Sequence, residues 1–275
     1  MADLNEKLFD ACKIGDTERA QLLVTRGANI QSIDTKKHTP VQWAAELGHT
    51  TTTLMLMESA GNARPFYGMV ALLAAALGGQ CETVNALLFG GISVNVADSH
   101  GHTALHIAAE FGQTAMVVLL VQNGANIGAV AHKFRGEMPL HICSGKGLTE
   151  TAMALVKLGA HIEAKDRRGA TALHYASQFG HASTVAALLD EADADIHAVD
   201  TNGWTALHFS AREGHVDVVK LLISRGADTN SKDFVLKRTP LQHASTFAHS
   251  ETMFVLMQNG ASSERLKTQK YVLLK

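Results

Sequence analysis

A tetrapeptide built on Thr, Leu and His returns along this chain at a nearly constant interval, and that recurrence constrains the fold more than any other feature. Thr103-Ala104-Leu105-His106, Thr171-Ala172-Leu173-His174 and Thr205-Ala206-Leu207-His208 are its strongest copies. Thr39-Pro40-Val41-Gln42, Met138-Pro139-Leu140-His141 and Thr239-Pro240-Leu241-Gln242 are weaker ones, and Val70-Ala71-Leu72-Leu73 fills the remaining gap. Their first residues stand at 39, 70, 103, 138, 171, 205 and 239, spaced by 31 to 35 residues. The N-terminus fits the same frame with its anchor at Glu6, because Gly15 and Gly27 match Gly112 and Gly124. About eight units then cover residues 1–265, the first and last acting as caps, and 266–275 form a C-terminal tail. A period of this length is the signature of a solenoid, in which each unit buries its apolar face against its neighbours.

Each strong copy reads as a helix–turn–helix unit. Thr caps a helix or precedes a Pro at its first position, where the missing N–H costs nothing. A small pair such as Ala108–Ala109 leaves room for a neighbouring backbone, and Gly112 ends the helix in a left-handed turn. Residues 116–121 (Met, Val, Val, Leu, Leu, Val) supply the apolar stripe of a second helix. Such helices of two or three turns are marginal alone, so stacking must hold them.

These residues resemble the ankyrin-repeat family, whose Thr-Pro-Leu-His, Ala-Ala, Gly-His and Gly-Ala-Asp elements recur here in order. The resemblance implies an all-α repeat fold: a solenoid of helix–turn–helix units with β-hairpin fingers, curved and elongated. It also implies that most of the histidines bond their own turns and neighbouring backbone. Those at the tetrapeptide are His106, His141, His174 and His208, and those after the first helix are His49, His181, His215 and His249. Three departures stand out. Val70, Ala71 and Leu73 replace the capping residues, and the unit before them is about two residues short, with Pro65 removing a donor from a truncated hairpin. The stretch 126–137 runs two residues long, and 191–195 carries an extra residue without the usual glycine.

Composition narrows the function. The 24 basic and 26 acidic residues balance, and basic side chains come in pairs at most, which argues against nucleic acid. The longest apolar run, residues 69–77, is too short to span a bilayer, and no hydrophobic signal core opens the chain. Three scattered cysteines fit neither a disulfide framework nor a zinc site and suit a cytoplasmic or nuclear setting. Cys12 and Cys143 fall at the small pair and read as core, while Cys81 opens a second helix. Histidines a repeat apart cannot share a metal, and no nucleophile elbow, phosphate loop or dinucleotide fingerprint appears. Neither catalysis, a metal nor a cofactor is expected.

The residues that vary between repeats carry the binding expectation. By family geometry the pairs after the small residues line a concave face: Glu46–Leu47, Leu77–Gly78, Glu110–Phe111, Gly145–Lys146, Gln178–Phe179, Arg212–Glu213 and Thr246–Phe247. Phe111, Phe179 and Phe247 form an intermittent aromatic row, whereas Trp43, Tyr175 and Phe209 read as core. Finger candidates are His100, His102, Lys133, Phe134, Arg135, Arg167, Arg168, Asn202, Trp204, Phe234 and Lys237. Aromatic and Arg side chains in an exposed groove are typical interface anchors. The expected function is therefore a monomeric protein-interaction module acting as scaffold, inhibitor or assembly chaperone. The alternative is a nucleotide-sensing repeat domain, with Trp204 and Lys237 the first residues to examine. Family resemblance also marks Asn95 and Asn230, each eight residues after a Leu, as candidate hydroxylation sites.

The weak third unit generates a prediction. Amide exchange should be faster across residues 60–68 than across 203–226, where the motifs are strong. Equal protection measured by exchange mass spectrometry would contradict it.

Overall fold

The computed structural model describes residues 2–132 and 135–263. The chain divides into two compact units, 1–133 and 134–275. In the first, four helix pairs follow one another: α1 (Ala2–Ile14) and α2 (Thr17–Thr25), α3 (Pro40–Glu46) and α4 (Thr50–Ser59), α5 (Arg64–Leu77) and α6 (Cys81–Phe89), α7 (Ala104–Glu110) and α8 (Thr114–Gln122). The second holds α9 (Pro139–Gly145) and α10 (Thr149–Lys157), α11 (Ala172–Gln178) and α12 (Ala182–Asp190), α13 (Ala206–Glu213) and α14 (Val216–Ser224), α15 (Pro240–Thr246) and α16 (Ser250–Gln258). Within each unit the odd-numbered helices stack on one another and the even-numbered helices form a second layer against them. The candidate fingers at Lys133 and Phe134, and the tail 266–275, lie outside the described residues.

The tetrapeptide sets the register of this stack. Its third position, Leu8, Val41, Leu72, Leu105, Leu140, Leu173, Leu207 and Leu241, is buried in all eight repeats. Burying each such side chain contributes roughly 1.5–3 kcal/mol. The small pair is buried beside it, from Ala11–Cys12 to Ser210–Ala211, so helix backbones approach closely. Burial raises the thiols of both Cys12 and Cys143 to about 12, which keeps them protonated.

Histidines fasten the stack in two ways. At the tetrapeptide, the Nδ1 atoms of His174 and His208 accept from the backbone N–H of Thr171 and Thr205, at 3.0 and 3.2 Å. Nε2 then donates to the next repeat: His174 to Ala198 and Trp204, His208 to Arg238, His141 to Ala164 and Ala170. Acceptors on one side and donors on the other fix the neutral tautomer. In the turn, His49, His181, His215 and His249 donate backwards to the carbonyls of Lys13, Gly145, Gln178 and Arg212, at 2.9–3.0 Å. Gln80 and Gln113 do the same to Glu46 and Leu77. These carbonyls lie in the last turn of the odd-numbered helices and lack intrahelical partners, so a neighbouring side chain satisfies them. Glycine precedes because Gly214 sits at φ 78 and a Cβ there would lie 2.6 Å from the His249 ring.

The irregularities have physical causes. No hairpin forms after α4. Residues Gly61–Ala63 make a 3-10 turn, and Pro65, at the first turn of α5, starts a helix instead of interrupting a ladder. The helix is thereby extended to 14 residues, replacing the missing Thr cap. At 191–195 the extra residue is absorbed by Asp193, which takes φ 52 in place of glycine. The fingers are tight turns, and among the described residues their pairing is a single bridge, Ala97 with Thr103.

Burial, above all other influences, holds His208 at a pKa of about 4. In the unfolded chain it protonates near 6.5, so between these values the unfolded state binds more protons and stability falls as pH falls. From pH 7 to pH 5 this one site should cost about 2 kcal/mol. His208→Gln, which copies the cap made by Gln42 and Gln242, should be less stable at pH 7 but lose that share of the acid slope. Urea unfolding at the two pH values checks it, and an unchanged slope would refute it.

Candidate functional site

Each odd-numbered helix ends by aiming one residue outward. The small pair is locked in the stack, a left-handed residue (glycine, or Ala248 in the last repeat) turns the chain away, and the residue just before that turn is only partly covered. Phe111, Phe179 and Phe247 stand at this point and are 54%, 50% and 49% exposed. Tyr175, one turn before Phe179, is buried, and so is Phe209, as their core reading requires. In the first unit Ile14, Leu47 and Leu77 are also exposed at the ends of their helices. Ile14 escaped the sequence reading because its repeat lacks the tetrapeptide.

Within the second unit, four of the expected residues come together. The Arg212 guanidinium lies 5.6 Å from the Trp204 ring and 5.3 Å from the Phe247 ring, between the two. Glu213 pairs with Arg212 at 3.6 Å. Behind Trp204, His243 packs at 4.3 Å and donates from Nε2 to Asp233 at 3.0 Å. A planar cation held between aromatic faces is attracted to both, and here its edge also meets the Glu213 carboxylate. Gln178 and Phe179 occupy the same place one repeat earlier, with Gln178 partly exposed. Glu110 and Phe111 form the corresponding pair in the first unit. Lys237, named with Trp204 for the nucleotide alternative, lies 5.9 Å over the Phe234 ring.

The fingers are held by a carboxylate that sequence reasoning missed. One oxygen of Asp34, Asp98, Asp166 and Asp200 accepts two turn N–H groups, those of Arg168 and Ala170 for Asp166. In two of them the other oxygen accepts from the odd-numbered helix: Trp43 Nε1 donates to Asp34 at 2.8 Å, and the Tyr175 hydroxyl to Asp166 at 2.9 Å. The Asp-to-Thr spacing of five residues at Asp98–Thr103, Asp166–Thr171 and Asp200–Thr205 was a signal available in the sequence. Trp43 is thereby fixed as a half-buried ring, not a core one, with Lys13 and Lys36 at 4.9 and 5.2 Å. Arg167 is exposed and Arg168 half-buried, its Nε 4.0 Å from Asp166.

Asn95 and Asn230 bridge repeats. Asn95 donates to the Gly124 carbonyl and accepts from the Asn126 N–H; Asn230 does the same with Gly260 and Ser262. Cys81 is partly exposed at the start of α6. Among the described residues no cluster of His, Cys, Asp and Glu could hold a metal, and no helix is long and apolar enough to cross a membrane. A cleft lies where the missing hairpin would stand, lined by Arg64, Pro65, Gly91 and Ile92, and its walls bring no set of polar groups together.

Comparison with known proteins follows the same architecture. A family model described as "Ankyrin repeats (3 copies)" matches residues 8–98, 65–131, 105–200 and 192–266. The B-cell lymphoma 3 protein homolog of Mus musculus is 34% identical over 172 residues, 62% of this chain and 32% of that protein. The probable E3 ubiquitin-protein ligase XBOS33 of Oryza sativa subsp. japonica is 33% identical over 121 residues, covering 42% of this chain and 23% of its own. The RelA-associated inhibitor of Mus musculus is 45% identical over 62 residues, 22% of this chain and 8% of that protein. The chain thus spans less than two fifths of the length of each of these relatives.

Exposure separates surface from seam in a way that mutation can test. Phe179→Ala should shift stability by less than about 1 kcal/mol, whereas Tyr175→Ala, which empties a core site and strips Asp166 of a donor, should cost about 3 kcal/mol or more. Denaturant unfolding of the two variants checks this; equal losses would place Phe179 in the seam.

Proposed function

Because the chain belongs to the ankyrin-repeat family, we propose that it acts as a non-catalytic protein-interaction module, holding a partner protein or peptide on the ends of its odd-numbered helices and on its fingers. The observation that carries this is the half-exposure of Phe111, Phe179 and Phe247 on helices whose other apolar side chains are mostly buried. Leaving three phenylalanines in water is unfavourable, and a partner that covers them recovers that free energy. Arg212, clamped between Trp204 and Phe247, adds a preorganised cation beside the aromatic anchor. The contact residues of this reading are Glu110, Phe111, Gln178, Phe179, Arg212, Glu213 and Phe247, with Arg167, Arg168 and Trp204 on the fingers.

Scaffold, inhibitor and assembly chaperone all use such a surface. The inhibitor reading gains from the name of the RelA-associated inhibitor, a protein similar to part of this chain. The chain works as a monomer in the cytoplasm or nucleus, a reducing setting in keeping with its free Cys12, Cys81 and Cys143.

The test uses the full chain as bait in a cell lysate, followed by titration of the recovered partner. Phe111→Ala with Phe179→Ala should weaken that partner by more than about 2 kcal/mol, roughly thirty-fold, and leave the thermal midpoint in place. Normal binding by the double variant, or its unfolding, would remove the support for this surface.

A further inference from the structure

Four fingertips of the second unit form a row joined by main-chain hydrogen bonds. The Arg167 N–H donates to the Arg135 carbonyl at 2.9 Å, Thr201 to Arg168 at 2.8 Å, and Phe234 to Asn202 at 2.7 Å. We propose that this row binds an extended acidic segment of the partner that carries a large apolar side chain at one end. The proposal deepens the protein-interaction reading and rests on it.

Charge is sorted across the unit. Its fingers and odd-numbered helices (135–147, 163–178, 197–213 and 230–247) hold nine Lys and Arg against six Asp and Glu. The remaining segments (148–162, 179–196, 214–229 and 248–263) hold three against eight. Half of the six acidic residues on the finger side are not presented to a ligand. Asp166, Asp200 and Asp233 are buried, their oxygens taken by turn N–H groups. These three carboxylates therefore offer no free acceptor edge at the fingertips, where Arg167, Lys165 and Lys237 stand exposed and outnumber the acidic side chains that face solvent.

The far end of the row is apolar. The last finger is one residue longer than its neighbours, with six steps from Asp233 to Thr239 against five from Asp200 to Thr205. The added length presents Phe234, Val235 and Leu236 to solvent, Val235 at 70% exposure. This tip is held, not loose. Leu236 N–H donates to Asp233 at 2.8 Å, Asp233 is fixed by buried His243, and Lys237 takes the left-handed turn at φ 51. Lys232 and Lys237 flank the three apolar side chains. A preorganised apolar tip beside cations matches a Leu or aromatic residue next to carboxylates. A nucleic acid suits it less well: Thr201 and Asn202 leave the third fingertip without a cation, and Val235 and Leu236 offer no stacking face.

Random peptides displayed on phage and selected against the immobilised full chain test the proposal. The enriched peptides should be net negative with at least one Leu, Phe or Trp. Synthetic labelled copies, measured by fluorescence anisotropy, should bind about ten-fold more weakly to Arg167→Glu, and to Val235→Ser with Leu236→Ser. Lys232→Glu, a substitution at an exposed site, supplies a second charge reversal should Arg167→Glu fail to fold. Enrichment of neutral or basic peptides, no enrichment, indifference to these variants, or tighter binding of a labelled single-stranded oligonucleotide would each overturn it. Neutral peptides that lose affinity on Phe179→Ala would sink the acidic segment and leave the protein-interaction reading standing.

Discussion

Everything in this molecule depends on one repeat satisfying the backbone of the next. The odd-numbered helices end with carbonyls that no intrahelical N–H can reach, and at six of them His or Gln from the adjacent repeat supplies the donor. The tetrapeptide histidine does the same in the other direction, tying its own cap to the following finger. These bonds are directional, so they set the spacing of the stack while the buried apolar positions provide its driving force. Ser144 and Ser177, at the small pair, keep the volume low enough for the helices to meet.

The same bonds explain why the surface looks as it does. A left-handed glycine is required under each turn ring, and the residue just before it has nowhere to pack. What occupies that place varies from Ile14 to Lys146 to Phe247, while at Gly78 a Cβ would collide with the Glu46 backbone and only glycine fits. The fingers follow the same division of labour. A buried aspartate fixes the loop, and the tip residues stand exposed, as with Arg167 or Val235. A scaffold that separates holding residues from contacting ones can change partners without changing fold.

Much of the fold was legible because the repeat declares itself many times over. Leu105, His174, Gly214 and their counterparts each predict the same local event, and all are found in it. The irregularity before Val70 was legible too, but not its form: a truncated hairpin was expected, and whether Pro65 would break a ladder or begin a helix depended on how α5 packed, which local pattern does not encode. Trp43 was misplaced because its bond to Asp34 spans a turn and holds the ring at the rim. The meeting of Trp204, Arg212 and Phe247 was the least visible, since those residues come from different repeats and touch only through their side chains.

The account holds that partners are read by the ends of the odd-numbered helices and by the fingers, while the even-numbered helices only support them. Hydrogen-exchange footprinting of the chain with its recovered partner tests that division directly. Added protection should appear at residues 110–112, 178–180 and 212–214 and in the fingers, with 216–224 and 250–258 unchanged. Protection confined to the even-numbered helices would contradict it.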